Sequence, residues 1–169
     1  MLRNAIVVLF TIAAVVFNSC TGGYSFTGQD ISADIKTVQI SYFPNQASMV
    51  QPNLSNVFTE ALKDKFISQT NLELVTYDGD IAFEGMITNY RVNAQAFQGN
   101  ETAALNRLTI TIKVKFTNTV EPDKSFETTF SRYADFESTQ NLNSVEGDLI
   151  QQISDELVID VFNKAVANW

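Results

Sequence analysis

The sequence predicts an α+β fold, a mostly antiparallel four- to five-stranded sheet with two amphipathic helices packed on one face, in the order β-α-β-β-β-β-α. Three observations predict it. Residues 107–117 alternate strictly between apolar and polar side chains, the period of a half-buried strand. Leu54 to Phe66 and Ile150 to Ala165 carry apolar residues three and four apart, so each helix has one stripe that needs a partner surface. Short β-favouring runs bounded by turn residues fill the interval between them.

The first segment is of another kind. Fourteen of the first 19 residues are apolar, and the order is Arg3, then the run Ala5 to Phe17, then Asn18-Ser19 before Cys20. Charge, apolar core and small polar residues in that order predict a secretory signal over residues 1–19. The run of 13 residues would make roughly 20 Å of helix, short of the roughly 30 Å hydrocarbon core. The only cysteine stands at the expected cut, where a lone thiol in an exported chain has no internal disulfide partner. Phe17-Asn18-Ser19-Cys20 resembles a bacterial lipobox, which implies acylation of Cys20 and attachment to a membrane through acyl chains. Thr21 is not the Asp that commonly retains enterobacterial lipoproteins in the inner membrane, so the expected address is the periplasmic face of the outer membrane.

Residues 20–35 are rich in Gly, Ser, Thr and Asp and read as a lipidated tether, which leaves 36–169 as a single domain. Val38, Ile40 and Tyr42 alternate with Gln39, Ser41 and Phe43 and predict a strand that Pro44 stops. Pro52 stands at the opening of the first helix, whose stripe is Leu54, Val57, Phe58, Ala61, Leu62 and Phe66. Leu72, Leu74, Val75 and Tyr77 predict a second strand, and Asp78-Gly79 predicts a hairpin turn into a third. In that long strand Ile81, Phe83 and Ile87 share one parity while Tyr90, Val92, Ala94 and Ala96 share the other. A β-bulge near Thr88-Asn89 reconciles the two sets. After a loop with Gly99-Asn100 comes the cleanest strand, with Leu108, Ile110, Ile112, Val114 and Phe116 on one face. The turn Glu121-Pro122-Asp123-Lys124 leads to a strand over Ser125 to Asp135, completing an antiparallel meander. Asn143 and Glu146 are spaced as a capping box for the last helix. Its stripe of Ile150, Ile153, Leu157, Val158, Val161, Phe162 and Ala165 extends towards Trp169, which is expected in the core.

Composition narrows the chemistry. The chain has 169 residues, 11 basic and 19 acidic side chains and no histidine, so acid–base and metal sites built on imidazole are excluded. Removing the signal removes Arg3 and no acid, leaving 10 basic against 19 acidic side chains, net −9, a sign that disfavours nucleic acid. Gly23-Tyr24-Ser25-Phe26-Thr27-Gly28 is one residue too long for a nucleophile elbow. Asp78, Asp80 and Glu84 lack the remaining ligands of a calcium loop. The expectation is a protein that is not an enzyme and needs no cofactor or metal.

One polar face stands out in a chain with few cations. Arg107, Lys113 and Lys115 have the same parity on the cleanest strand, so they concentrate positive potential on one face. They are the candidate contacts for the phosphates or carboxylates of an anionic glycolipid headgroup. The alternative, that the lysines keep an exposed sheet face from aggregating, stays open.

Gly23 to Gly28 after Cys20, Val38 to Pro44, Phe58 to Gln69, and Phe130 to Phe136 together resemble the LptE family of lipopolysaccharide-assembly lipoproteins, in its Bacteroidetes branch. The resemblance implies two helices on a four-stranded sheet, and a non-enzymatic partner that plugs the LptD outer-membrane barrel during lipopolysaccharide transport. Two other classes remain open at this point. One is an accessory lipoprotein that regulates another envelope complex through protein contacts, and the other is a carrier for a small apolar ligand.

Overall fold

The alternating segment lies within a 14-residue strand whose apolar face, Leu108, Ile110, Ile112, Val114 and Phe116, is buried. A strand with one face in the core recruits neighbours through its backbone on both edges and covers that face with helices. The computed structural model, which describes residues 31–95 and 104–166, shows how. Strands β1 (Thr37–Ile40), β2 (Glu73–Val75), β3 (Ile81–Gln95), β4 (Leu105–Asn118) and β5 (Phe126–Glu137) form one sheet in the order β2-β1-β3-β4-β5. Helices α1 (Leu54–Gln69) and α2 (Leu142–Val166) pack against each other, α1 over β1 and β2, α2 over β4 and β5. The expected signal segment, Cys20, most of the tether, Ala96, the Gly99-Asn100 loop and Trp169 lie outside the described residues.

The bulge falls where the parity change requires it. Ile87 faces Ile112 and Asn89 faces Thr111, leaving Thr88 as the extra residue. Ile81, Phe83, Ile87 and Tyr90 are therefore all buried on one face. Val92 is partly buried and Ala94 is exposed, so the core ends earlier along β3 than the apolar parity suggested. Both helical stripes face the core as expected, with Val57, Ala61 and Ala165 only partly buried at its margin. Rings of Phe126, Phe116, Phe83, Phe66 and Phe162 follow one another at centroid spacings of 5.1, 4.8, 4.8 and 5.0 Å, linking β5 to β4, β3, α1 and α2. A fully buried ring of this size contributes about 1.5–3 kcal/mol.

Three local expectations are corrected. β2 and β3 do not form a hairpin: β1 lies between them and runs parallel to both, with Val38 opposite Leu74 on one side and Ile81 on the other. Asp78 does adopt the left-handed turn conformation, φ 54°, but the turn belongs to a crossing over β1. Gly79 presses on that strand, since a Cβ there would lie 2.7 Å from the Gln39 amide. β2 has only three residues, too few to hold a partner of its own, so β1 with its buried Val38 and Ile40 takes the inner place. The sheet is mixed, and its long pairs, β3 with β4 and β4 with β5, are antiparallel.

The second correction concerns Tyr42 and Phe43. Tyr42 is exposed and Phe43 fully buried, so strand parity ends at Ile40. The chain stays beside β3, where Ile87 donates to the Pro44 carbonyl at 3.0 Å and Gln46 donates to that of Ile87 at 2.9 Å. Phe43 is held by its amide donating to Thr59 Oγ1 at 3.2 Å and by its ring against Phe58 at 5.0 Å. Gly85 opens the space for it, because a Cβ there would meet Phe43 Cε1 at 2.5 Å as well as the Lys113 carbonyl.

Thirdly, the cap of α2 is Asn141, whose Oδ1 accepts from the Asn143 amide at 3.0 Å, so Asn143 and Glu146 form no capping box. Glu146 accepts instead from the Tyr90 hydroxyl and from Gln51 Nε2, the latter at 2.6 Å. That contact joins α2, β3 and the segment ahead of α1. Burial, then the carboxylate beside it, pushes the Tyr90 hydroxyl pKa up, so it stays protonated as a donor. At the sheet's entrance Asp80 Oδ2 accepts from the amides of Lys36 and Thr37 and from Thr37 Oγ1, at 2.8, 2.9 and 2.9 Å. The backbone hydrogen bonds, led by that of Lys36, hold its carboxyl below the ordinary value.

Gly85→Val is expected to lower stability by about 1–3 kcal/mol through overpacking, read as a lower midpoint in thermal or urea unfolding. Asp80→Asn tests the entrance. Because the folded pKa of Asp80 is depressed, its contribution is present above the unfolded value and lost as pH falls through the folded one. The variant is therefore less stable than the parent at neutral pH, and the gap closes as pH falls below about 4. Urea unfolding across pH 2–7 checks it.

Candidate functional site

The helices cover one face of the sheet, which leaves the other to solvent along β3, β4 and β5. Arg107, Lys113 and Lys115 all stand on that outer face of β4, as their parity requires. The structure brings the three together in one row, and it adds what a single strand could not reveal: their partners on both neighbours. Arg107 lies directly opposite Asp135 of β5 and donates to it through two nitrogens, Nε to Oδ1 at 2.7 Å and Nη2 to Oδ2 at 2.8 Å. Its guanidinium also sits 3.6 Å from the centroid of the Tyr133 ring. This forked, stacked geometry suits arginine and not lysine. The hydrogen bond raises the Arg107 pKa and lowers that of Asp135, so both stay charged.

Lys113 pairs with Glu127, and Lys115 pairs with Glu84 at 3.3 Å. Lys115 is opposite Glu84 on β3 and Glu127 on β5. The hydrogen bond from Lys113 holds the Glu127 carboxyl below its ordinary value. These side chains are about half exposed, 49% and 51% for the first pair and 58% and 53% for the second. Such pairs are screened by water and salt and exchange partners readily. The row is thus an ion-pair ladder, with acid on β3, base on β4 and acid on β5. It offers cations to an anionic ligand only where the ligand displaces a carboxylate.

The partner residues Glu84, Glu127, Tyr133 and Asp135 are absent from the sequence reading of this face. So is Arg91, which the bulge turns to the outer face opposite Thr109. The strand parities of β3 and β5 could have found them, because each occupies an outward position once the bulge is placed. Asp78, Asp80 and Glu84 do not come together as a cation loop, since Asp80 is bonded to Lys36 and Thr37 and Glu84 to Lys115.

The centre between helices and sheet is occupied by fully buried side chains, Phe43, Phe58, Phe66, Phe83 and Phe162 the largest among them, while at one end a pocket of about 420 Å³ lies between the last turn of α2 and the sheet, lined by Ile35, Ile81, Phe116, Phe126 and Val166 among others. Among the described residues, no helix is long and apolar enough to cross a membrane.

The fold recurs in solved structures. A minor lipoprotein from Acinetobacter baumannii is similar with a TM-score of 0.53 and 14% identity, over 79% of this chain and 94% of that one. A hypothetical protein from Chlamydia trachomatis is similar with a TM-score of 0.54 and 11% identity, over 79% and 99%. A neuraminyllactose-binding hemagglutinin homolog from Helicobacter pylori follows with 0.51 and 7%, over 83% and 88%. At these identities the likeness shows the fold alone. No curated protein matches the chain. The family model described as LptE, lipopolysaccharide-assembly, matches residues 35–165, from the residue before the Asp80 clamp nearly to the end of α2. The chain therefore belongs to the LptE lipopolysaccharide-assembly family.

Proposed function

We propose that the protein is an outer-membrane lipoprotein that partners and plugs an LptD-type barrel in lipopolysaccharide transport, with no catalytic step of its own. The observation that carries this reading is the family match across the whole sheet-and-helix body. Cys20 would be the acylated attachment point, with residues 1–19 removed and residues 20–35 as the tether. Anchoring confines the body to the membrane surface and raises its effective concentration at the barrel.

Arg107, Lys113 and Lys115 are the proposed headgroup contacts. Phosphates of lipopolysaccharide would compete with Asp135, Glu127 and Glu84 for the same donors. The acidic side of the ladder then sets the affinity: a weakly held lysine is available to a doubly charged phosphate and remains neutralised in its absence. Arg107, held by two bonds and a ring, would orient more than it binds.

Depletion of the protein is expected to reduce lipopolysaccharide at the cell surface and to arrest maturation of LptD; normal levels of both would refute the assignment. Co-purification of the barrel, with no cell-wall synthase in its place, is the accompanying result. Lys113→Glu with Lys115→Glu should weaken binding of purified lipopolysaccharide about tenfold or more. Glu84→Gln with Glu127→Gln should strengthen it by freeing the same lysines. Unchanged affinity in both double variants, with folding verified by circular dichroism, would remove these residues from the lipid contact.

A further inference from the structure

The two edges of the sheet are managed in opposite ways. One edge is β2, three residues long, which is brief enough to discourage pairing. The other is β5, twelve residues long, in unbroken register with β4 from Phe126 to Glu137. Among the described residues no strand lies beyond it. Protein edges of this length are normally blunted by charged side chains, lysine above all, by inward-pointing charges, by proline or by a bulge. β5 contains no lysine, proline or glycine, and its pairing with β4 shows no register shift. Its one inward-pointing charge, Arg132, is neutralised by Asp160 of α2 through bonds of 2.6 and 2.7 Å, and its outward charges are all carboxylates.

We propose that β5 is a docking edge that accepts an extended strand of a partner protein, one alternating apolar residues with lysine or arginine. The apolar half of that pattern follows from the inner face. Phe126 and Phe130 are only partly buried against the core, and a further strand would cover them. The basic half follows from the outer face, where charge alternates strand by strand: Glu84 on β3, Lys115 and Lys113 on β4, Glu127 on β5. A second rung carries Arg107 and Asp135, with the neutral Asn93 in the β3 position, and Glu137 adds a third carboxylate to the β5 side. The next strand in that series is basic.

A second copy of this chain does not fit in the two central registers. Antiparallel self-pairing centred on Ser131 or Arg132 sets Glu127 against Asp135 or Glu137, acid opposite acid, which is unfavourable for directly opposed side chains. The recognition is therefore β-augmentation, with backbone hydrogen bonds giving affinity and alternating side chains giving specificity. The cations proposed as headgroup contacts lie on β4, and Glu127 and Asp135 of β5 face both them and the docking edge.

The test uses the purified full chain in detergent and three nine-residue peptides: alternating valine and lysine, the same peptide with alternate backbone amides methylated, and one with glutamate replacing lysine. The lysine peptide should bind, and amides of Phe126 to Glu137 should gain protection from hydrogen exchange. Methylation should weaken binding about tenfold or more, because it removes the backbone donors. The glutamate peptide should bind as poorly, and Glu137→Lys in the protein should narrow the difference between the two charged peptides. Equal binding of the methylated peptide would overturn the proposal. So would protection that maps to the helices, or dimerisation of the free protein through β5.

Discussion

Everything in this molecule depends on burial of one face of a sheet. The row of rings from Phe126 through Phe116, Phe83 and Phe66 to Phe162 ties β5, β4, β3 and both helices into a single core. No ring can leave the row without exposing its neighbours, so the helices cannot slide and the strands cannot slip by one residue, which would turn every apolar side chain outward. The bulge at Thr88 is the concession this requires: β3 is longer than one parity can serve, and the extra residue returns Tyr90 to the buried side. With one face closed in this way, function is confined to the other face, the edges and the helix exteriors.

The outer face shows how an acidic protein accommodates cations. Lys115 stands between Glu84 of β3 and Glu127 of β5, and Lys113 and Arg107 are paired to carboxylates of β5, so the face is close to neutral although it is densely charged. A surface of this kind resists aggregation and still offers donors to a stronger anion. That double property would reconcile a net negative body with the proposed contact to an anionic lipid. The relevant quantity is the competition at each rung rather than the sum of charges over the chain.

The parts of the fold legible in the sequence are those whose cause is local. The alternation at Arg107 to Thr117, the two helical stripes and the parity change at Thr88 each arise from a single segment meeting a single surface, and each stands where the sequence placed it. The failures share a different cause. Asp78-Gly79 has the residues of a hairpin turn, but whether flanking strands pair depends on β1, a segment some forty residues away that takes the inner position. Tyr42 and Phe43 have equal claims on the core until Gly85 and Thr59 decide between them. Asn143 and Glu146 have capping spacing, yet Glu146 is committed to Tyr90 and Gln51. The cations of β4 were visible as a row, whereas their acidic partners were not, because cross-strand neighbours are set by register and register is not written in either strand alone.

The clamp at Asp80 has a mechanical consequence. β1 is hydrogen-bonded on both sides, to β2 and β3, and both of those strands run parallel to it. Force arriving from the N-terminal side passes the core contacts of Ile31 and Ile35 and then meets Lys36 and Thr37, where Asp80 grips two consecutive amides. A pull along the axis of β1 would shear both ladders together instead of opening one bond at a time. Tension from a moving membrane would then reach the body as a rigid tug on its inner strand, and the domain would follow its leash intact rather than unravel from it.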